Sequence, residues 1–301
     1  MRFLVTGGAG FIGSHLVDGL VARGADEVIV LDNLHRGRSS NLEQHERNDR
    51  VKFVEGDIRN ATLVRQQCDG VDILFHLAAQ SNVLGASGNP VYSLETNVVG
   101  TVNVLEAACL AGVQKVIFTS SREVYGEPES LPVREDAQLA PKNLYGASKA
   151  AGEMYCRAYG ERGLDVRTVR LANVYGSRDF DRVIPLWLGR ARDGLPLDVF
   201  GGRQVIDFVW VADAVEALIE VSNCQSYSGP INIGSGHGTP IQDLARLILE
   251  QTQSGSKLQV LPARAEEVVG FIADVSAMRT HLGIEPPSQP LYQLPSLARG
   301  L

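Results

Sequence analysis

The chain has 301 residues, 44% of them hydrophobic and 21% charged, a balance that suits a soluble globular protein with one large core or two smaller ones. A formal net charge of -7 argues against general affinity for nucleic acid or anionic membrane, which recruit basic surface, but leaves room for a local basic pocket. Cys68, Cys109, Cys156 and Cys224 stand far apart with no CxxC pair and no clustered histidines, so neither a disulfide framework nor a metal site is expected, and a reducing cytoplasm fits.

In chain order, RFLVTG is the first short run rich in β-branched residues, and GSHLVDGLVARG after it has helical length and spacing. The opening segment MRFLVTGGAGFIG is broken by glycines and lacks a cleavage site, so a buried strand is expected, not an export signal or membrane span. DEVIVLD, VKFVEGD, VDILFHLA, QKVIFTSS and DVRTVRLANV repeat the strand pattern, and NVVGTVNVLEAACLAG supplies another helix. Strands alternating with helices predict a parallel sheet covered on both faces, because parallel strands need crossovers. Beyond Tyr175 the regularity breaks into a Gly-, Pro- and Arg-rich stretch, then a helix in VADAVEALIEV, a strand in PINIGSG and a helix near QDLARLILEQT. The expected fold is α/β, a Rossmann-type doubly wound parallel sheet. It should occupy residues 1–174 with contributions from about 204–234, beside a smaller α/β substrate-binding lobe over 175–301 that is partly interleaved with it.

The first strand runs straight into Gly7-x-x-Gly10-x-x-Gly13 ahead of a helix. Glycines there let the backbone turn tightly, approach a pyrophosphate and pack helix on strand, leaving helix N–H groups to face the anion. Asp32 ends the second strand about 20 residues later, where a carboxylate binds an adenosine ribose and repels a 2′-phosphate, favouring NAD over NADP. Arg36 and Arg38 pull the other way, since a nearby arginine accommodates that phosphate. The plainer alternative is a tight turn with a chance acid after it.

NLYGASKAAGE places Tyr145 and Lys149 four residues apart, on one face of a predicted helix. An ammonium beside a phenol, and a cationic nicotinamide above it, both favour the phenolate, so Tyr145 could take a proton from an alcohol as a hydride leaves the same carbon.

Together TGGAGFIGSH, GDI at 56–58, HLAAQ at 76–80, TSSREVYG at 119–126, YGASK and RLANVYG resemble the extended short-chain dehydrogenase/reductase family, specifically its NAD-dependent sugar-nucleotide epimerase/dehydratase group. The likeness covers nearly the whole chain, including INIGSG and ADVSAMRTHLG. It implies a catalytic set of Ser121, Tyr145 and Lys149, with Ser121 hydrogen-bonding the substrate oxygen that Tyr145 deprotonates and Lys149 also holding the nicotinamide ribose. For NAD it implies Gly7, Gly10, Phe11, Ile12, Gly13, Asp32, Asn33, Asp57, Ile58, Leu77, Ala78, Ala79 and Gln80, with Asn97 on the helix behind. For a nucleotide sugar, expected to be a UDP-sugar, it implies Ser121, Asn173 and Arg264, with Val83 and Glu123 as further candidates; Arg178, Arg182 and Arg203 are expected beside them because an acidic protein needs bidentate cations for a diphosphate. It also implies a homodimer formed through the helices near 96–111 and 145–159.

Two departures bear on the reaction. Where relatives carry an arginine before Asp-Phe, this chain reads VIDF, with Ile206 in its place, so Arg203 or Arg264 must compensate or the substrate differs. Where hexose dehydratases carry an Asp-Glu pair, this chain has Arg122-Glu123, and a guanidinium cannot donate as an acid near neutrality. The leading expectation is therefore a 4-epimerase acting on a UDP-hexose or UDP-hexuronate through a 4-keto intermediate. A dehydratase or UDP-glucuronate decarboxylase using Glu123 is the alternative, and a non-catalytic dinucleotide-binding protein a remote one. Thr119, Ser120, Tyr125, His76, Trp187 and Trp210 are expected to be structural.

Overall fold

The computed structural model describes residues 1–300; the last position of the lobe expected at 175–301 lies outside the described residues. The first part runs β1 (Arg2–Thr6), α1 (Phe11–Ala22), β2 (Glu27–Asp32), β3 (Val51–Glu55), α2 (Ala61–Gln67), β4 (Ile73–His76), α3 (Val83–Gly88), α4 (Pro90–Leu94), α5 (Gly100–Ala111), β5 (Lys115–Ser121), α6 (Leu144–Glu161) and β6 (Val166–Leu171). Then follow β7 (Asn173–Tyr175), α7 (Val183–Arg192), β8 (Leu197–Phe200), β9 (Val205–Trp210), α8 (Val211–Asn223), β10 (Ile231–Ile233), β11 (Gly238–Pro240), α9 (Ile241–Gln251), β12 (Leu258–Leu261), β13 (Gly270–Phe271) and α10 (Leu294–Arg299).

Seven strands form one sheet in the order β10-β6-β5-β4-β1-β2-β3, every neighbouring pair parallel. All seven residues of β5 are buried, as expected of a central parallel strand covered on both faces. One apolar core lies under α1 and α8 and contains Leu16, Val17, Val215 and Leu218. Another lies under α2, α5 and α6, with Val64, Val104, Leu105 and Cys156. The chain order reverses between β1 and β4, and the crevice outside the carboxyl ends of those strands is where such sheets bind ligands.

The run DVRTVRLANV, expected as one strand, divides. β6 stays in the large sheet, whereas β7 leaves it to pair with β9 in a second sheet of order β11-β9-β13. The break falls at Ala172, whose N–H still bonds to the Ile233 carbonyl. In the other direction, α8 packs on α1, and β10 returns from the late part of the chain to form an edge of the large sheet. A third apolar cluster, with Trp187, Leu197, Leu244 and Ile248, lies among α7, α9 and β8.

Asp207, at the middle of β9, is completely buried and joins these pieces. One carboxylate oxygen accepts from Ser235 N–H and Ser235 Oγ at 2.7 and 2.6 Å, and the other from the N–H groups of Gly236 and Ala273 at 3.0 Å each.

Candidate active site

A cleft of about 570 Å³ opens along the carboxyl ends of β1, β2, β4 and β5 and continues to the second sheet. At one end lies the glycine loop. Gly7 has φ of +73°, and a Cβ on it would come within 2.7 Å of the Ala78 nitrogen, while a Cβ on Gly13 would stand 2.1 Å from the Gly7 carbonyl oxygen. Only glycine allows this crossing of loop, helix and neighbouring strand. Gly10 caps α1 without a side-chain hydrogen bond, so N–H groups of the first turn, in a segment where Phe11, Ile12 and Gly13 line the cleft, are left to meet an anion.

Asp32 is buried at the end of β2 and lines the same cleft. Its Oδ2 accepts from Ala9 N–H at 3.0 Å and its Oδ1 from Leu34 N–H at 2.8 Å, so the carboxylate braces the glycine loop and keeps lone pairs for a ribose. Burial pushes its pKa up against those hydrogen bonds. Arg36 is paired with Asp181 at 2.6 Å, and the Arg38 guanidinium lies 4.0 Å from the centre of the Phe180 ring. Both arginines are thus engaged by the loop after β7. A glycine cradle with no room for a Cβ, an uncapped helix start and an acid at the end of β2 fit the pyrophosphate and unphosphorylated ribose of NAD.

At the centre, Ser121 ends β5, and Tyr145 and Lys149 come from the first turns of α6; all three line the cleft. Asn143 caps α6, its Oδ1 accepting from Gly146 N–H at 2.8 Å. Burial raises the Tyr145 pKa, while Arg182, a hydrogen bond from Ser121 and Arg36 act in the opposite direction and Glu123 adds to the rise. The cations that draw the phenol toward ionisation are therefore arginines across the cleft. Lys149, buried under the site, donates instead to the Thr119 carbonyl at 2.8 Å, and burial lowers its pKa to about 8.

Arg122 and Glu123 also face the cleft. Arg122 Nη2 pairs with Glu123 Oε1 at 2.8 Å, and its Nε donates to Asn173 Oδ1 at 2.6 Å. The second carboxylate oxygen of Glu123 accepts from Asn143 Nδ2 at 2.7 Å, and its backbone N–H bonds to Ser121 Oγ at 3.2 Å.

A profile of the NAD dependent epimerase/dehydratase family matches residues 3–234. The chain belongs to this family. It is 37% identical over 294 residues to the UDP-glucose 4-epimerase of Mycolicibacterium smegmatis, covering 95% of this chain and 94% of that one. It is 34% identical to UDP-glucuronic acid decarboxylase 1 of Danio rerio over 95% of this chain and 69% of that one. Among solved structures, the dTDP-glucose 4,6-dehydratase DesIV of Streptomyces venezuelae with NAD bound superposes with a TM-score of 0.95 at 35% identity, over 100% of this chain and 97% of that one. The UDP-glucose 4-epimerase of Thermotoga maritima with UDP-glucose superposes with a TM-score of 0.93 at 34% identity, over 99% and 98%. NAD is the cofactor of this epimerase/dehydratase family member.

The cleft of this family member gathers most of the residues named from the sequence, but not all. Gly7, Gly10, Phe11, Ile12, Gly13, Asp32, Asn33, Ile58, Leu77, Ala78, Ala79, Val83, Ser121, Glu123, Tyr145, Lys149, Asn173 and Arg264 line it. The Asp57 carboxylate turns instead to Arg59, at 2.9 and 3.0 Å, and to Asn33 Nδ2 at 2.8 Å. Gln80 and Asn97 form a brace behind the wall: Asn97 Oδ1 accepts from Gln80 N–H at 2.7 Å, and its Nδ2 reaches Ser148 Oγ at 2.8 Å. Arg178 has φ of +64° and is directed at Asp18 on α1, 2.8 Å away. Arg203 is exposed and outside the lining. Of the arginines expected to meet a diphosphate, the two that line the cleft are Arg182, 5.3 Å from the centre of the Phe11 ring, and Arg264, 3.5 Å from that of Phe200.

His76 is buried between Thr6 Oγ1 at 2.7 Å and Thr101 Oγ1 at 3.0 Å, with a pKa lowered by burial to about 3. Tyr125 is buried and donates to Asn232 Oδ1 at 2.7 Å. Neither lines the cleft. Asn143 escaped notice in the sequence, although an asparagine just before a helical run is an N-cap signal. Gln204, with an unpartnered buried Oε1 beside the cleft, had no such signal.

Proposed function

We propose that this family member is an NAD-dependent sugar-nucleotide 4-epimerase acting on a UDP-hexose or UDP-hexuronate. The observation that carries the reading is the state of Glu123: one carboxylate oxygen is held by Arg122 and the other by Asn143. Glu123, the acid next to Ser121, is then not free to drive elimination, whereas an epimerase needs little beyond the proton-handling set and a roomy cleft.

The glycine loop and Asp32 would hold the pyrophosphate and ribose of NAD, which when bound would supply the hydride acceptor and donor. Tyr145 takes the proton of the C4 hydroxyl, and Ser121, which lines the cleft with it, orients that oxygen. The guanidinium charges of Arg182 and Arg36 favour the phenolate during the transfer. Lys149 holds the end of β5 through Thr119 and offers its remaining donors to the cofactor ribose. The 4-keto sugar must then present its other face, a turn that needs room, and the cleft measures about 570 Å³. Arg182 and Arg264 are the cations placed to meet the diphosphate, with no arginine at Ile206.

A lyase remains the second reading because Glu123 lines the cleft next to Ser121. Incubating the purified protein with UDP-glucose, UDP-galactose, UDP-glucuronate and UDP-N-acetylhexosamines, then separating the products, distinguishes them. Interconversion of C4 epimers supports the epimerase, released CO2 or a stable 4-keto product supports the lyase, and no conversion sinks both.

The reading includes a homodimer and a cytoplasmic setting. Exposed Val99, Leu110, Met154 and Tyr155 lie on or beside α5 and α6, which pack against each other and leave apolar surface for a second copy. Light scattering giving twice the 32.5 kDa chain mass is expected. Among the described residues no helix is long and apolar enough to cross a membrane.

A further inference from the structure

We infer that Arg122 is a positioning residue: it fixes Asn173 as a hydrogen-bond donor toward the substrate and withdraws Glu123 from proton transfer. The inference rests on the nucleotide-sugar reading above. A guanidinium has donors only, so the Asn173 atom 2.6 Å from Arg122 Nε must be the amide oxygen. That choice settles the other end of the amide. Its two N–H groups are left to the cleft that Asn173 lines, and they suit the oxygens of a diphosphate or a sugar. Without Arg122 the amide is free to turn over and present its oxygen, which repels a phosphate.

The same guanidinium engages Glu123 Oε1 at 2.8 Å, with both side chains mostly shielded from solvent, 14% and 8% exposed. Glu123 Oε2 is taken by Asn143, the residue that caps the helix carrying Tyr145. The chain Asn173, Arg122, Glu123, Asn143 thus links the mouth of β7 to the first turn of α6. Arg122 also lies 5.9 Å from the centre of the Phe271 ring, which limits its sideways movement. A lysine, a point donor without the planar fork, would not hold Asn173 and Glu123 in these positions at once.

The test is a double-mutant cycle in ligand affinity, using NAD-loaded wild type, Arg122→Met, Asn173→Ala and the double variant, with UDP-glucose and UDP-glucuronate titrated calorimetrically. Arg122→Met and Asn173→Ala should each weaken binding by about tenfold with NAD content unchanged, and the double variant should bind no more weakly than Asn173→Ala alone. A merely structural role for Arg122 would make the two losses multiply, and that outcome overturns the inference, as does unchanged affinity in Arg122→Met. If the methionine variant does not fold, Arg122→Lys is expected to bind as weakly as Asn173→Ala, and wild-type affinity in it overturns the inference equally. Wild type that binds neither ligand overturns the nucleotide-sugar reading and this inference with it; wild type that binds while the variants are indifferent overturns this inference alone.

Discussion

Lys149 Nζ donates to the carbonyl of Thr119 over 2.8 Å, tying the helix that carries Tyr145 to the strand that ends in Ser121. The ammonium has little solvent around it, and burial lowers its pKa from the ordinary 10.5 to about 8. Between those values the folded protein binds fewer protons than the unfolded chain, so stability rises with pH across that window and is flat below it. The contribution is up to about 3 kcal/mol, at 1.36 kcal/mol per pKa unit. Urea midpoints of the cofactor-free protein should increase from pH 8 to 10 relative to Lys149→Met, and parallel profiles for the two proteins would contradict the burial of a charged lysine.

Gly13→Ala should abolish NAD retention. The added Cβ would lie 2.1 Å from the Gly7 carbonyl oxygen, and the object in its way is backbone, so the loop itself must move. Overpacking of this kind costs about 1–3 kcal/mol, enough to lower the melting temperature by several degrees. Absorbance of released nucleotide after denaturation measures the loss of NAD directly.

Asp181→Ala should relax cofactor choice. In the structure Asp181 occupies Arg36 at 2.6 Å, keeping that guanidinium from a 2′-phosphate. Freed of its partner, Arg36 should improve NADP binding relative to NAD by several-fold, although Asp32 still favours NAD. Fluorescence titration with the reduced forms of both cofactors reads the ratio, and an unchanged ratio would show that Arg36 cannot reach the ribose.

Asp207→Asn tests the join between the sheets. The carboxylate accepts four hydrogen bonds from Ser235, Gly236 and Ala273, and an amide nitrogen in place of Oδ2 accepts neither of its two. Leaving two buried N–H groups unmatched costs about 2–6 kcal/mol, at about 1–3 kcal/mol for each orphaned group. Denaturant unfolding should report a loss of that order with NAD binding kept under native conditions.

The large sheet was legible because its signals are local. Each short run rich in β-branched residues marks its own strand, Gly7 to Gly13 and Asp32 lie within a few dozen residues of one another, and the backbone needs of a tight turn leave few residue types for those glycine positions. The fate of DVRTVRLANV was not legible, since its division at Ala172 depends on partners, β10 and β9, that arrive later in the chain. Arginines were the hardest to place. Arg178 and Arg182 are four residues apart in one polar stretch, yet Arg178 turns to Asp18 and Arg182 to the cleft. Sequence gives a guanidinium's presence, but its direction follows from where Asp18 and Phe11 are carried by α1. The Arg122-Glu123 pair was visible as a departure from the dehydratase pattern. Its consequence became clear only with Asn143 and Asn173 in place, because those two amides account for the remaining partners.

The central claim is that one site oxidises C4 of a nucleotide sugar and returns the hydride to the opposite face of the same carbon. The most direct measurement is NMR of the products formed from UDP-hexose and UDP-hexuronate deuterated at C4, in ordinary water, by NAD-loaded protein and by Tyr145→Phe. The account predicts the C4 epimer with deuterium still at C4, no net consumption of NAD, and a rate at least about 10²-fold lower in Tyr145→Phe. An accumulating 4-keto or decarboxylated product, deuterium lost to solvent, or undiminished turnover in Tyr145→Phe would contradict it.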